Sequence, residues 1–185
     1  MASEVASGDT SNAVKRKHTQ ISQTAEREYT DPAIYDNQHQ RFVSDGLPTS
    51  TSAWIVRAQA VSEIFAEDAA ARDIENKSPR AEVTLLKSAG LLKVLGPKEY
   101  GGGGETWDTA YKVIREVAKG DGSLGMLLGY HLLWSTIGNV VGTEEQKQRL
   151  QKLIIENNYF VGGECLTNLK EKKEWLMVHR CCKST

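Results

Sequence analysis

The chain has 185 residues, 39% hydrophobic and 25% charged, with a formal net charge of -1. Near-neutral charge gives no electrostatic reason to expect nucleic acid or an anionic membrane as partner. The length suits one domain with tails. Three cysteines make no disulfide framework: Cys181 and Cys182 are adjacent, and Cys165 has no His or Cys at metal-ligand spacing, so no metal site is expected. The first residues carry Glu4 and Asp9 and no continuous apolar stretch, unlike a secretory signal. A reducing, cytoplasmic setting is the expectation, and the basic run Lys15 to His18 reads as a solvated patch.

Residues 1–50 are polar and lack a sustained period, so a disordered or loosely attached arm is expected there. The pattern changes at Ala53. Trp54, Ala58, Val61, Phe65 and Ala69 recur every three or four residues and mark one face of a first helix. A second helix opens at "SPRAE", with Ser78 as its expected cap, Pro79 in the first turn and Glu82 favoured by the helix dipole. Gly90 is its expected left-handed stop. A third helix is predicted over residues 107–119, capped by Thr106, with Ala110, Val113, Ile114 and Val117 inward.

"GDGS" breaks the chain, and residues 123–141 form its most apolar stretch. That stretch nears membrane-spanning length, but His131, Asn139 and three glycines favour a central helix buried on most sides. "TEEQ" from Thr143 is a capping box opening a fifth helix to about residue 156, which buries Leu150, Leu153 and Ile154. "YFVGG" then resembles the start of a strand. The fold class predicted is all-α, a five-helix bundle.

The segment "PKEYGGGGETW" raises the question of a phosphate loop. A Walker loop ends in Gly-Lys-Ser/Thr, so that a lysine and a hydroxyl reach phosphate and magnesium. Here Glu105 follows the glycines and would repel phosphate, and no strand of convincing length precedes them. The expected role is a tight connection between helices two and three, with positive φ and close backbone approach.

Four motifs in register, "P-x-E-Y-G-G-x-G", "KGDGSLG", "GYH" and "G-T-x-E-Q", lie within "SAGLLKVLGPKEYGGGGETWDTA", "VIREVAKGDGSLGMLLGYHLLW" and "VGTEEQKQRL". Together they resemble the N-terminal helical domain of the acyl-CoA dehydrogenase superfamily. The likeness is strongest to its reduced-flavin monooxygenases of the dibenzothiophene-desulfurization type. It covers residues 54–163 and implies three regions: an arm over 1–50, the helical domain over 51–163 and a non-family tail over 164–185. Family members continue with a β-domain and a C-terminal four-helix bundle, both absent from this sequence as read, so a C-terminally truncated member is the expectation.

The resemblance implies a flavin cofactor, FMN or FAD, in complete family members, lying mainly between the later domains while the helical domain closes one side of the pocket. It also implies a small-molecule substrate, oxygenated in the monooxygenases or dehydrogenated as an acyl-CoA. The expectation for this chain is no tight flavin binding and no activity by itself. An alternative is a non-catalytic helical module that associates with a full-length paralogue. Tyr130 matches the tyrosine of "GYH" facing the flavin and substrate cavity, with a buried core tyrosine as the other reading. Met126, one turn earlier, stands where desulfurizing members carry a histidine, and a thioether cannot relay protons. Trp134, one turn later, continues the same wall or is core. His131 is a further pocket candidate, although its position about 100° from Tyr130 favours a core histidine. No residue is assigned a catalytic role.

Overall fold

The computed structural model describes residues 28–162, whose regular elements are all helices, with no strand. A 3-10 turn, Pro32–Tyr35, leads into α1 (Asp36–Asp45). Then follow α2 (Thr51–Glu75), α3 (Arg80–Ser88), α4 (Trp107–Gly120), α5 (Gly122–Val141) and α6 (Glu144–Ile155). The five predicted helices are α2 to α6, in order.

Sequence chemistry accounts for most of their ends. Ser50 caps α2 through its hydroxyl on Ala53 N–H, and Asn76 ends it in the left-handed region at φ 50. Gly90 stops α3 at φ 74, with Leu91 folded into the core behind it. The Asp121 carboxylate accepts from Ser123 and Leu124 N–H at the start of α5. At α6 both halves of the Thr143–Gln146 capping box form, at 2.9 and 3.3 Å.

The long pair α2 and α4 forms the centre of the domain, and α5 packs on α4. Trp54, Ala58, Val61 and Phe65 meet Ala110, Val113 and Val117, with Leu124, Leu128 and Leu132 completing the layer, all buried. Close packing is allowed by small residues. A Cβ at Gly125 would stand 2.5 Å from that of Ala118, so α4 and α5 touch nearly backbone to backbone. A smaller apolar group, Leu150, Ile154, Ile155 and Val161, ties α6 to the rest.

Several expectations need correction. Residues 28–50 are not a loose arm: α1 and its turn bury Tyr35 and Phe42, and the arm is tied to α3 by paired backbone bonds between Thr30 and Ser78 and between Ser78 and Glu28. Ser78 is therefore not the cap of α3. Its place is taken by Thr30, whose hydroxyl accepts from Ala81 N–H at 2.9 Å and donates to the buried carboxylate of Glu82 at 2.6 Å. The bundle thus has a sixth helix.

Helix α5 is buried on one side rather than most sides, and only 33% of its most apolar window is covered. It is also the one helix among the described residues long and apolar enough to cross a membrane. Tyr159 to Gly162 is irregular rather than a strand start. The tail from residue 164, the cysteines and the basic run Lys15 to His18 lie outside the described residues.

Buried charge is concentrated where α2, α3 and α5 begin or end. Arg72 reaches Asp121 at 3.0 Å and Glu82 at 3.8 Å, and it also donates to the Phe65 carbonyl and to Tyr35 Oη. Burial resists ionisation of Asp121, but hydrogen bonds from Ser123 and Arg72 outweigh it and hold the carboxyl below its usual range. Burial, then the charge of Glu82, pushes the Tyr35 phenol up to about 12. Because the network is satisfied on several sides, it fixes the geometry of the turns it joins.

Candidate functional site

The glycine run is closed to ligands by its own hydrogen bonds. The N–H groups of Gly101, Gly102, Gly103, Gly104 and Glu105 donate to the carbonyls of Lys98, Pro97, Lys93, Gly96 and Val94, at 2.8–3.0 Å. A phosphate loop needs those donors free. Gly101 and Gly104 take positive φ, 85 and 61. Gly103 lies so close to Trp54 that a Cβ would meet its ring at 2.6 Å. The Glu105 carboxylate is likewise occupied, by the hydroxyls of Thr51 and Thr109. The segment is a structural turn, as the sequence indicated.

The open surface lies on α5. At 100° per residue, Met126, Tyr130, Leu133, Ile137 and Val140 fall within about 80° of one another and form one stripe. Met126 is 61% exposed, Tyr130 55% and Val140 77%, high values for large apolar side chains outside a loop. From Leu124 to Val141 the helix holds no Asp, Glu, Lys or Arg. The Tyr130 hydroxyl has no hydrogen-bond partner among the described residues, and it is the one side-chain donor on the stripe.

The four candidates separate in space. Met126 and Tyr130 share the open stripe. Trp134, farther round the helix, is partly buried against the Leu150–Ile154 group, so it is mainly a packing residue of the seam with α6. His131 leaves the stripe altogether and is fully buried. Its Nδ1 accepts from Val161 N–H at 2.9 Å, which requires the Nε2–H tautomer, and Nε2 donates to the Leu92 carbonyl at 3.1 Å. The Phe160 ring stacks on it at 4.9 Å. Burial holds the imidazole down to about 4, so it is neutral and has no capacity left for a ligand. Leu133, Ile137 and Val140 complete the exposed stripe and were not singled out from the sequence, although their spacing from Tyr130 was available as a signal. Among the described residues no group of His, Cys, Asp or Glu could hold a metal.

An all-α bundle, a closed glycine turn before α4 and an apolar helix with one exposed wall coincide with a family pattern. The model of the acyl-CoA dehydrogenase N-terminal domain matches residues 55–157. The chain belongs to the acyl-CoA dehydrogenase family. Dibenzothiophene monooxygenase of Rhodococcus erythropolis is 39% identical over 118 residues, which are 64% of this chain and 28% of that protein. The enzyme of the same name from Mycolicibacterium goodii is 41% identical over 104 residues, 56% of this chain and 25% of its own length. A "Probable FMNH2-dependent monooxygenase SfnC" of Pseudomonas putida is 30% identical over 106 residues, 57% of this chain and 27% of the relative. The chain therefore spans less than a third of the length of these relatives.

Proposed function

We propose that this acyl-CoA dehydrogenase-family chain supplies the helical wall of a flavin-dependent oxidoreductase of the monooxygenase type, with Met126, Tyr130 and Leu133 facing the pocket. The observation that carries this is the exposed, uncharged stripe of α5, combined with relatives whose names specify reduced flavin or dibenzothiophene. A flat aromatic ring system fits such a wall, because apolar side chains cover it without leaving polar groups unpaired. The phosphate of a flavin nucleotide does not, since the stripe offers no cation. In this reading the flavin supplies oxygen activation. The chain's own part is to exclude water, orient the substrate against Met126 and Leu133, and donate one hydrogen bond from Tyr130 Oη. Met126 carries no proton, so any proton transfer on this wall belongs to Tyr130.

The test is a chimera in which residues 55–157 replace the matching segment of the Rhodococcus erythropolis enzyme. Oxygenation of dibenzothiophene that depends on reduced FMN is expected to persist. Tyr130→Phe in that chimera should lower kcat/KM about tenfold, the worth of one hydrogen bond. A folded chimera unable to bind flavin, or a Tyr130→Phe variant at full activity, would count against the reading. The 185-residue chain alone should emerge from desalting colourless after incubation with FMN. Stoichiometric yellow protein would instead mean that it holds a flavin site of its own.

A further inference from the structure

A cleft of about 220 Å³ opens where the end of α1, the Gly46–Leu47 turn and the segment from α3 to Lys93 meet. It shares no residue with the α5 stripe. Phe42 and Leu47 give it an apolar floor, and no acidic side chain lines it. Of the two lysines on its wall, Lys87 is already engaged with a partner in the chain.

Lys93 stands apart from it. It closes the 3-10 turn Leu91–Lys93, between Leu92 and Val94, both buried. Its carbonyl accepts from Gly96 and Gly103 N–H, and its own N–H donates to the Gly90 carbonyl, so the backbone here is fixed. The side chain is partly buried along the cleft, with no hydrogen bond or ion pair at its ammonium among the described residues. Burial alone, with no contribution from a neighbouring charge, holds the amine below the usual lysine range. Only the unprotonated amine has a lone pair to give, so desolvation of this kind makes a lysine a better nucleophile.

The cleft also holds an unmet acceptor. Asn158 lines it, in the left-handed region at φ 54, and its Oδ1 is buried without a partner. Ser88 is no rival for an incoming group, since its hydroxyl donates to the Thr84 carbonyl and meets His39 Nδ1 at 2.7 Å. A charge gains nothing from the apolar floor. A secondary amide brings one N–H, no charge and an apolar acyl group, which suits this wall better than the ammonium does.

We propose that Lys93 is an acylation site, at which a short acyl group is transferred from a thioester to Nζ and packs on Phe42 and Leu47, while the new amide N–H donates to Asn158 Oδ1. The Nζ lone pair attacks the carbonyl carbon; the C–N bond forms, the C–S bond breaks, and the thiolate leaves with the proton lost from nitrogen. A water molecule takes about 30 Å³ in the liquid, so a cleft of about 220 Å³ admits an acyl group of a few carbons. The site does not depend on the flavin reading.

The experiment incubates the full chain near neutral pH with the acetyl thioester of N-acetylcysteamine and measures acetyl-lysine at each position by mass spectrometry. Lys98 and Lys152 are the references, exposed lysines that also lack an ion pair among the described residues. Initial acetylation of Lys93 should be at least about threefold faster than that of either, the advantage of a desolvated amine. The excess should vanish in concentrated urea. Asn158→Gly tolerates the left-handed backbone and deletes the acceptor, and it should reduce the excess by about half or more. Lys93 reacting no faster than the references, or an excess that persists in urea, would overturn the proposal. An excess untouched by Asn158→Gly would overturn the part given to that amide. Should the glycine variant not fold, the comparison within the unaltered chain still decides the site.

Discussion

His131 couples stability to pH through its burial. Its folded value of about 4 lies below the ordinary 6.5, so the unfolded chain takes up the proton first as pH falls. The contribution is complete above pH 6.5, declines between 6.5 and 4, and is gone below that window. At its steepest, one proton corresponds to about 1.4 kcal/mol per pH unit. Urea unfolding between pH 4 and 7 should therefore show a slope that flattens in His131→Gln, beyond any uniform loss of stability in that variant. Equal slopes in the two proteins would mean that His131 does not govern this window. The sequence showed a lone histidine in an apolar helix and so favoured a core role. It could not show the partners, because the Leu92 carbonyl and Val161 N–H are 39 and 30 residues away. Tyr130 differs from its neighbour only in angle, and that angle was readable from the helical period.

At the level of elements, α2 to α6 were legible from their apolar periods and from local boundary chemistry at Gly90 and Thr143, while Ser50 and Asp121, which were not read as caps, act on backbone groups within a few residues in the same way, and Thr106 makes no side-chain cap bond. The segment before α2 was not legible. Among the described residues of that stretch only Tyr35 and Phe42 are buried hydrophobics, too few to produce a period, and its attachment is polar and distant. Thr30 is the chief tether, capping α3 from 51 residues away while bonding Glu82. Thr30→Val removes the cap and leaves a buried carboxylate short of one donor, for a combined cost of about 2–4 kcal/mol. Thr30→Ser keeps the hydroxyl and should cost under about 1 kcal/mol. Thermal unfolding measures both, and hydrogen exchange should show α1 losing protection only in the valine variant. If serine and valine were equally damaging, the hydroxyl would not be the tether. Ser78 has the sequence context of a cap, but its backbone is already committed to the arm.

For the whole molecule, the described residues are well packed on one side of α5 and leave the other side open. Large side chains at Met126, Tyr130, Leu133 and Val140 face solvent in a row, and such a patch favours association. Any association of this chain, with a second copy or with a full-length paralogue, would then use this one helix face. The 185-residue chain should self-associate reversibly at micromolar concentration, seen as a concentration-dependent sedimentation coefficient. Each large apolar side chain removed from water contributes about 1.5–3 kcal/mol, so replacing both Leu133 and Val140 by lysine should raise the dissociation constant at least about tenfold. Neither residue is buried in the core, so the fold and the His131 hydrogen bonds should survive the change. Lysines at Val43 and Ile74, exposed apolar positions on α1 and α2, should leave sedimentation unaltered. Association that resisted the α5 substitutions but yielded to those two would move the interface off this face. A chain that stayed monomeric throughout would show that the stripe is covered from within the polypeptide, and Tyr130 would then be no wall of an open pocket.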